Sequence, residues 1–256
     1  MTMPPLRCSI ILLAATLGLA TPSQAIVGGG VAGPDAIGPS VVTLIGSHGT
    51  VCTGALIAPN VVLTAGHCIA PQTSYRVLDY TTQPPRLLTA QKVASHPQFN
   101  LRAMLAHRAT ADVALLLLPS AVPSKTPASF GTPRSPVAPG ARFTIAGIGV
   151  TVSGGDQGIG TIRAASLVAT GQPGRFQIRL VDPATNNTRN GLGACTGDSG
   201  APVFEDQGDR AVVVGVVSWS TGANNSAGCG GLTGVTPLTI YRDWILQTMR
   251  GWGVAM

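Results

Sequence analysis

The segment Cys195-Thr-Gly-Asp-Ser-Gly-Ala-Pro202 leads into the apolar pair Val203-Phe204, and the run Ala211-Val-Val-Val-Gly-Val-Val217 follows soon after. This pattern predicts a tight loop ahead of a β-strand. Glycine lets backbone N–H groups approach a substrate oxygen without a Cβ clash, which is what a reactive serine needs. Ser199 is therefore a candidate nucleophile, although a serine in a glycine-rich segment usually belongs to an ordinary turn.

Two other segments carry side chains that can activate a serine. In Val61-Val-Leu-Thr-Ala-Gly-His-Cys68 an apolar strand ends in a turn of small residues that carries His67. Asp112 lies at the start of the strongly apolar run that ends at Leu118. A lone histidine is usually structural, but a buried carboxylate costs several kcal/mol unless it is paired. We therefore expect Asp112 to have a partner, and His67 is a suitable one.

The composition indicates an all-β body. The chain has 256 residues, of which 45% are hydrophobic and 10% are charged, with 33 glycines and 20 prolines. So many turn-forming residues favour short strands and loops over long helices. The length allows one large β domain or two small ones that share a cleft.

The charge pattern argues against nucleic-acid binding. The formal net charge is +6, and Lys92 and Lys125 are the only lysines, so nearly all the cations are scattered arginines. Aromatic residues make up 4% of the chain, too few to provide stacking platforms beside basic clusters. The excess of arginine over lysine is typical of a GC-rich bacterial source.

Residues 1–25 have the features of an export signal. Arg7 precedes the apolar run from Ser9 to Ala20, and the small-residue sequence Ser23-Gln-Ala25 follows. The apolar run is shorter than the roughly 20 residues that span a bilayer, so we expect a secreted or periplasmic protein without a membrane anchor. Cys8 precedes the apolar run and should be removed with the signal.

Four cysteines remain after residue 25, and they predict two disulfides in an oxidising compartment. They are Cys52, Cys68, Cys195 and Cys229. Four cysteines allow three connectivities, and their spacing does not choose among them. A zinc site is not expected, because there is no Cys-x-x-Cys and the histidines at 48, 67, 96 and 107 lack close paired spacing.

Five motifs in order resemble the chymotrypsin/trypsin-like serine proteases over most of residues 26–250. They are Ile26-Val-Gly-Gly29, Leu63-Thr-Ala-Gly-His-Cys68, Asp112-Val-Ala-Leu-Leu116, Gly197-Asp-Ser-Gly200 and Ser218-Trp219. The resemblance implies an all-β fold of two six-stranded Greek-key barrels, at residues 26–130 and 131–236, followed by a C-terminal helix at residues 237–250. It implies no cofactor and no metal. The first-barrel loop from 69 to 88 holds only Asp79 as an acid, so a calcium site is not expected there.

The order of the residues excludes an α/β-hydrolase. That fold places its nucleophile before its histidine, whereas every histidine of this chain precedes Ser199. Position 201 is also Ala, where the Gly-x-Ser-x-Gly motif needs glycine.

The resemblance assigns the catalytic roles to His67, Asp112 and Ser199, with the N–H groups of Gly197 and Ser199 forming the oxyanion hole. The activity implied is peptide hydrolysis through an acyl-enzyme. A further implied feature is an ion pair between Asp198 and a new amino terminus at Ile26.

The resemblance also implies how the four cysteines pair. The pairs are Cys52 with Cys68 and Cys195 with Cys229.

Ala25 is the residue before Ile26 and also the best signal-cleavage position, so export alone is predicted to release the active enzyme. A cut after Ala20 would instead leave a five-residue pro-segment that needs a second cut.

Specificity is predicted from the pocket positions. Gly193 stands where trypsin-like enzymes carry an aspartate, so cleavage after Arg or Lys is not expected. Ser220 and Thr233 are predicted to narrow the pocket, which favours small or medium apolar residues, with a chymotrypsin-like preference as the alternative. The backbone of Ser218-Trp219-Ser220 is expected to pair with an extended substrate.

Two further expectations complete the interpretation. Ile240, Trp244 and Met249 have helical spacing and predict an apolar helix face in the core. The expected partners are polypeptide substrates and protein inhibitors. The alternative function is a secreted, inactive homologue that binds a partner, but this sequence retains all three triad positions.

Overall fold

Short strands dominate the computed structural model, which describes residues 26–31, 37–69, 73–79, 84–171 and 176–254. The predicted signal segment 1–25, with Cys8, lies outside these residues. The strands are Gly30–Val31 (β1), Val41–Gly46 (β2), Val51–Ala58 (β3), Val61–Thr64 (β4), Tyr75–Asp79 (β5), Arg86–Thr89 (β6), Lys92–Ser95 (β7), Ala114–Leu117 (β8), Arg142–Gly147 (β9), Arg163–Ala169 (β10), Ile178–Val181 (β11), Pro202–Asp206 (β12), Ala211–Ser220 (β13) and Thr233–Pro237 (β14). The helices are Leu101–Leu105 (α1) and Arg242–Gly251 (α2), with 3-10 turns at Gly38–Ser40, Gly66–Cys68, Ala223–Asn225 and Leu238–Ile240.

The first sheet has the strand order β6-β5-β2-β3-β4-β8-β7. Only Ala90 and Gln91 separate β6 from β7, and they join the two edges of the sheet. Ala90 N–H donates to the carbonyl of Tyr75 at 2.8 Å, and Gln91 N–H donates to the carbonyl of Leu117 at 2.7 Å. The segment β6–β7 therefore acts as one strand that closes a six-stranded barrel.

The second sheet closes into a barrel by pairing of its first and last strands. Its strands follow the order β10-β11-β14-β13-β12-β9, and β9 pairs again with β10. Strand β1 adds to β10, where Gly30 pairs with Ala164. Two six-stranded barrels were expected, and this expectation is confirmed. The predicted division at 26–130 and 131–236 assigned residues 26–31 to the first barrel, but they lie on the second. The domain boundary itself stays a prediction.

Residue alternation explains why the strands at the centre of the molecule are apolar throughout. Along β8 and the following residue, Leu116 and Leu118 pack inside the first barrel, whereas Leu115 and Leu117 pack in a cluster shared by both barrels and α2. Successive side chains of a strand point to opposite faces, so both faces of β8 are buried. The strand that follows Asp112 therefore lies at the junction of the two barrels.

Helix α2 covers this junction with Ile245 and Met249, which are 0% and 1% exposed. The prediction that Ile240 joins the core is wrong, because Ile240 lies in the 3-10 turn before α2 and is 36% exposed. A 3-10 helix has three residues per turn, and this turn buries Leu238 instead. Within the described ranges, neither helix has the length or apolar character needed to cross a membrane.

Candidate active site

His67 lies in the 3-10 turn Gly66–Cys68, directly after β4. Its Nδ1 is 2.8 Å from Asp112 Oδ2, and its backbone N–H donates to Asp112 Oδ1 at 2.8 Å. The carboxylate thus holds both the ring and the backbone of the histidine. Because Nδ1 faces an acceptor, the tautomer with the proton on Nδ1 is favoured, which leaves Nε2 as a proton acceptor.

Asp112 is fully buried, at 0% exposure, while the side chain of His67 remains 15% exposed. A third donor compensates this burial: Ser218 Oγ donates to Asp112 Oδ2 at 2.5 Å. The sequence placed Ser218 only in the substrate-binding strand. The structure adds a contact that the sequence did not predict, because Ser218 is 106 positions from Asp112.

Three aromatic side chains pack against one another near the segment that carries Asp112. The ring centroid of His96 lies 5.0 Å from the centroids of both Tyr241 and Trp244, in edge-on geometry. His96 N–H donates to the carbonyl of Val113 at 3.0 Å. Burial lowers the pKa of His96, whereas burial and the charge of Asp112 raise the pKa of Tyr241. These contacts attach the start of α2 to the segment between Asp112 and β8.

Ser199 lies in the loop before β12, and this loop docks on the first barrel. The carbonyl of Ser199 accepts from Thr53 N–H at 2.8 Å, and Thr53 Oγ1 donates to the carbonyl of Gly197 at 2.8 Å. Gly200 has φ +78°, and a Cβ there would overlap Thr64 Oγ1 and the Thr53 carbonyl. This close approach explains why glycine follows the serine.

The docking brings Ser199 beside the histidine turn. The Sγ of Cys68, next to His67 in the chain, lies 3.7 Å from the Ser199 carbonyl oxygen. Among the residues described, no hydrogen bond joins the side chains of His67 and Ser199. The docking threonine Thr53 was not identified from the sequence, and no local motif marks it.

Both disulfides implied by the resemblance are present. Cys52 and Cys68 are joined with a Cα–Cα distance of 6.3 Å, and Cys195 and Cys229 with a distance of 4.9 Å. The first bridge ties the histidine turn to β3, and the second ties the serine loop to the loop before β14. In the described part of the chain, Cys52, His67 and Cys68 are the one group of side chains close enough together to bind a metal ion. Both cysteines are in a disulfide, so neither offers a thiolate ligand.

Asp198, next to Ser199 in the chain, is fully buried. Its two oxygens accept from Gly149 N–H and Cys195 N–H, each at 2.9 Å. Burial raises the pKa of Asp198 to about 7, although these two hydrogen bonds act in the opposite direction. In the described residues no cation lies within ion-pair distance of this carboxylate.

Ile26 follows Ala25 in this chain, so its nitrogen is an amide. Its side chain is nevertheless fully buried in the second-barrel core, in the same cluster as Ala194 and Ala201. Val27 N–H donates to the carbonyl of Gly193 at 3.0 Å. The side chain expected to start the mature chain therefore packs close to the serine loop.

The predicted pocket residues also lie together. Thr233 is fully buried, and its Oγ1 accepts from Ala194 N–H at 3.0 Å, one residue after Gly193. Trp219 pairs with Gly234 and Ser220 pairs with Thr233 across β13 and β14. The strands therefore place Ser220 and Thr233 opposite one another.

A separate cavity of about 740 Å³ lies between the two barrels and α2. Phe130, Arg210 and Arg242 line parts of it. None of the predicted catalytic or pocket residues lines this cavity, so it is distinct from the site described above.

Comparison with known proteins identifies the family and the fold of the chain. The Trypsin family matches residues 26–245. A trypsin from Sus scrofa is 28% identical over 236 residues, covering 88% of this chain and 95% of that protein. An anionic trypsin from Canis lupus familiaris is 28% identical over 256 residues, covering 93% and 97%. The solved human heparin binding protein shares the fold, with a TM-score of 0.68, 24% identity and coverage of 90% and 100%. The chain belongs to the trypsin-like serine protease family.

Proposed function

We propose that this protein is a secreted serine endopeptidase in which His67, Asp112 and Ser199 form the catalytic triad. The observation that carries the proposal is the double hydrogen bond from His67 to the buried carboxylate of Asp112. A carboxylate held in this way fixes the orientation of the imidazole and stabilises the imidazolium that forms during proton transfer.

The reaction follows from these positions. Histidine exchanges protons readily near neutral pH, and Nε2 of His67 takes the proton from Ser199 Oγ as that oxygen attacks the peptide carbonyl. His67 then gives the proton to the leaving amine, and Ser199 remains as an acyl ester. Water attacks the ester and His67 accepts a proton from the water. The bond between the acyl carbon and Ser199 Oγ then breaks, His67 returns the proton to Oγ, and the acid product leaves.

The N–H groups of Gly197 and Ser199 are proposed to bind the negative oxygen that forms at each step. The position of this loop depends on Thr53, whose backbone N–H and side chain bond to the carbonyls of Ser199 and Gly197. Loss of one such donor typically reduces kcat by about 10²- to 10³-fold.

The pocket is proposed to accept small or medium apolar side chains. Gly193 brings no charge, so an Arg or Lys side chain of the substrate would lack a counter-ion there. The hydroxyl-bearing residues Ser220 and Thr233 pair across β13 and β14, and we propose that their side chains reduce the space in the pocket. A chymotrypsin-like preference is the alternative.

The partners proposed are extended polypeptides and protein inhibitors that bind as substrates do. An extended chain is proposed to add to the backbone of Ser218-Trp219-Ser220 by β-type hydrogen bonds. Export is proposed from the sequence of residues 1–25, and two disulfides suit an oxidising compartment outside the cytoplasm.

Maturation is proposed to occur by cleavage after Ala25. The new α-amine of Ile26 would supply the positive charge for the buried Asp198, whose pKa is raised to about 7 in the uncut chain. N-terminal sequencing of the exported protein tests this step: Ile26 at the terminus of an active form supports it, and an inactive form that begins at Thr21 contradicts it.

The decisive experiment is covalent labelling with a serine-directed sulfonyl fluoride. We expect one adduct on Ser199 in the mature protein and none after Ser199→Ala, with Ser166→Ala, an exposed serine on β10, as the matched control. A panel of chromogenic peptides then tests the pocket, and a preference for Arg would contradict the proposed specificity.

The second candidate function is that of an inactive binding homologue. It draws support from the missing hydrogen bond between His67 and Ser199 among the described residues. Absence of labelling in correctly matured protein would favour it over the endopeptidase.

A further inference from the structure

A histidine outside the proposed triad covers the tryptophan of the substrate-binding strand. The rings of His107 and Trp219 are stacked, with centroids 4.5 Å apart and planes inclined by 15°. His107 itself is exposed, whereas Trp219 is only 8% exposed. The imidazole therefore lies on the face of the indole that would otherwise meet solvent or a ligand.

The opposite face of Trp219 is also occupied. Gly234 pairs with Trp219 across β13 and β14, and a Cβ at Gly234 would overlap the six-membered ring of the indole. Arg179, which pairs with Gly234 in β11, brings its Cζ to 5.9 Å from the ring centroid. Because β14 packs on one face, His107 must cover the other.

The backbone around His107 is arranged to hold this position. His107 N–H donates to the carbonyl of Met104 at 2.8 Å, and Arg108 N–H donates to the carbonyl of Ala103 at 2.9 Å, which is a Schellman ending of α1. The residue at this point of the motif is usually glycine, because its φ is positive; His107 has φ +53°. A histidine at a site that favours glycine carries a conformational cost, and the stacking contact offsets it.

The rest of the segment is anchored as well. Asn100 Oδ1 accepts from Ala103 N–H at 3.0 Å and caps the start of α1. Asn100 N–H donates to Thr110 Oγ1 at 2.8 Å, and Met104 is 7% exposed. Thr110 is two residues before Asp112, so α1 is held at the edge of the proposed cleft.

We propose that His107 is a specificity-determining residue that closes the indole face of Trp219 to substrate side chains. This inference rests on the proposed function. A substrate strand rises ~3.3 Å per residue, so the residues two to four positions before the cleaved bond pass Trp219 when the chain lies along Ser218-Trp219-Ser220. With His107 on the indole, small side chains fit at these positions, and bulky apolar side chains lose the flat surface on which they would pack.

The test compares His107→Gly with Arg108→Ala. Glycine suits the positive φ and keeps the Schellman ending, so His107→Gly uncovers Trp219 without straining α1. Arg108→Ala is the matched control, since it changes the neighbouring exposed side chain. Peptides that carry Ala or Phe at each of the three positions are bound to the two variants and to the parent chain, all with Ser199→Ala so that no turnover is needed.

We expect His107→Gly to raise the ratio of Phe-peptide to Ala-peptide affinity about tenfold at one or more of these positions, as burial of an aromatic side chain implies. Arg108→Ala should leave the ratio unchanged. Acrylamide quenching of Trp219 fluorescence, isolated by comparison with Trp219→Phe, should also increase in His107→Gly.

An unchanged affinity ratio at all three positions, or unchanged quenching, would overturn the inference. Both readouts use a chain without the nucleophile, so they do not depend on catalysis. If the parent chain with Ser199 intact fails to react with the sulfonyl fluoride, that result counts against the proposed function and leaves these two measurements valid.

Discussion

The two barrels bury one aspartate each at the candidate active site, and the two carboxylates have different surroundings. Asp112 contacts the ring and backbone of His67 and accepts from Ser218. Within the described residues, Asp198 accepts from the backbone N–H groups of Gly149 and Cys195 alone, and its pKa is raised to about 7. The first carboxylate has a side chain that can become its counter-ion, whereas the part of the chain that the structure describes offers none to the second.

This difference indicates which of the two aspartates should depend on cleavage before Ile26. The His67–Asp112 pair is formed in a chain that still carries residues 1–25, so it does not require a free amino terminus. The buried charge of Asp198 lacks compensation within the described residues of this same chain. Cleavage is therefore expected to act on the serine loop of the second barrel and to leave the histidine pair unchanged.

Substitutions in the proposed triad should show the strongest effects on catalysis. We expect His67→Ala and Ser199→Ala to lower kcat/KM for peptide hydrolysis on the order of 10⁴- to 10⁶-fold, because proton transfer and acyl formation are both lost. Steady-state kinetics on a chromogenic peptide measures this. His48→Ala and Ser166→Ala, at exposed positions, are the controls and should retain activity. Turnover close to that of the parent enzyme in either triad variant would remove that residue from the mechanism.

Asp198 should make the uncut chain less stable as the pH rises. A carboxyl group whose folded-state pKa is about 7 instead of 3.8 binds more protons in the folded than in the unfolded state between these values. The free energy of unfolding should therefore fall by several kcal/mol from pH 4 to pH 7.

Urea unfolding of Ser199→Ala at several pH values measures this dependence, in the full chain and in a chain that begins at Ile26. In the chain that begins at Ile26, the α-amine should pair with Asp198 and reduce the loss of stability. Identical pH dependence in both chains would contradict the proposed ion pair.

The variant Ser218→Ala tests how much the hydrogen bond from Ser218 to Asp112 contributes to catalysis. Ser218→Ala removes one of the three hydrogen bonds to this carboxylate and leaves the two from His67. We expect kcat to fall about tenfold, since a hydrogen bond to a charged group contributes roughly 1.5–3 kcal/mol and part of it is recovered by relaxation. KM should change little because the backbone of Ser218 is kept. A change confined to KM would show that the side chain acts on substrate binding instead.

Substitution of His96 should give the smallest effect, a change in the pH dependence of thermal stability. Burial lowers its folded-state pKa, so the unfolded state binds more protons near pH 6 and stability is lost as the pH falls below the ordinary value of 6.5. His96→Phe keeps the aromatic contacts with Tyr241 and Trp244 and removes the titration. We expect the change in Tm between pH 7.5 and pH 5.5 to shrink by about 1–3 °C. His48→Phe, at an exposed position, is the control. An equal change in that variant would show that the effect is not specific to His96.

Much of the site was predictable because its motifs are local. His67 beside Cys68, Asp112 before an apolar run, and Ser199 between glycines are each identifiable from a few neighbouring residues. The fold and both disulfide pairs followed from the resemblance and are confirmed. The error at Ile240 came from reading helical spacing through a 3-10 turn, whose period differs from that of an α-helix.

The contacts that orient the site were not predictable. Thr53 docks the serine loop, Ser218 supports Asp112, and His107 covers Trp219, yet none of the three has a sequence pattern that marks these roles. Each contact joins residues that are far apart in the chain. Only the closure and mutual packing of the two barrels bring them together.

By itself the amino-acid sequence determined the chemical groups, the order in which they occur, and the apolar strands that surround them, because strand alternation and short motifs are local properties. The tertiary structure alone decided which hydroxyl bonds to Asp112, which carboxylate is buried without a cation among the described residues, and which ring covers Trp219. Those outcomes depend on the distance between segments that are far apart in the chain, such as Asp112 and Ser218, which are 106 positions apart. Folding sets such distances through burial of the shared core, and no short stretch of sequence contains them.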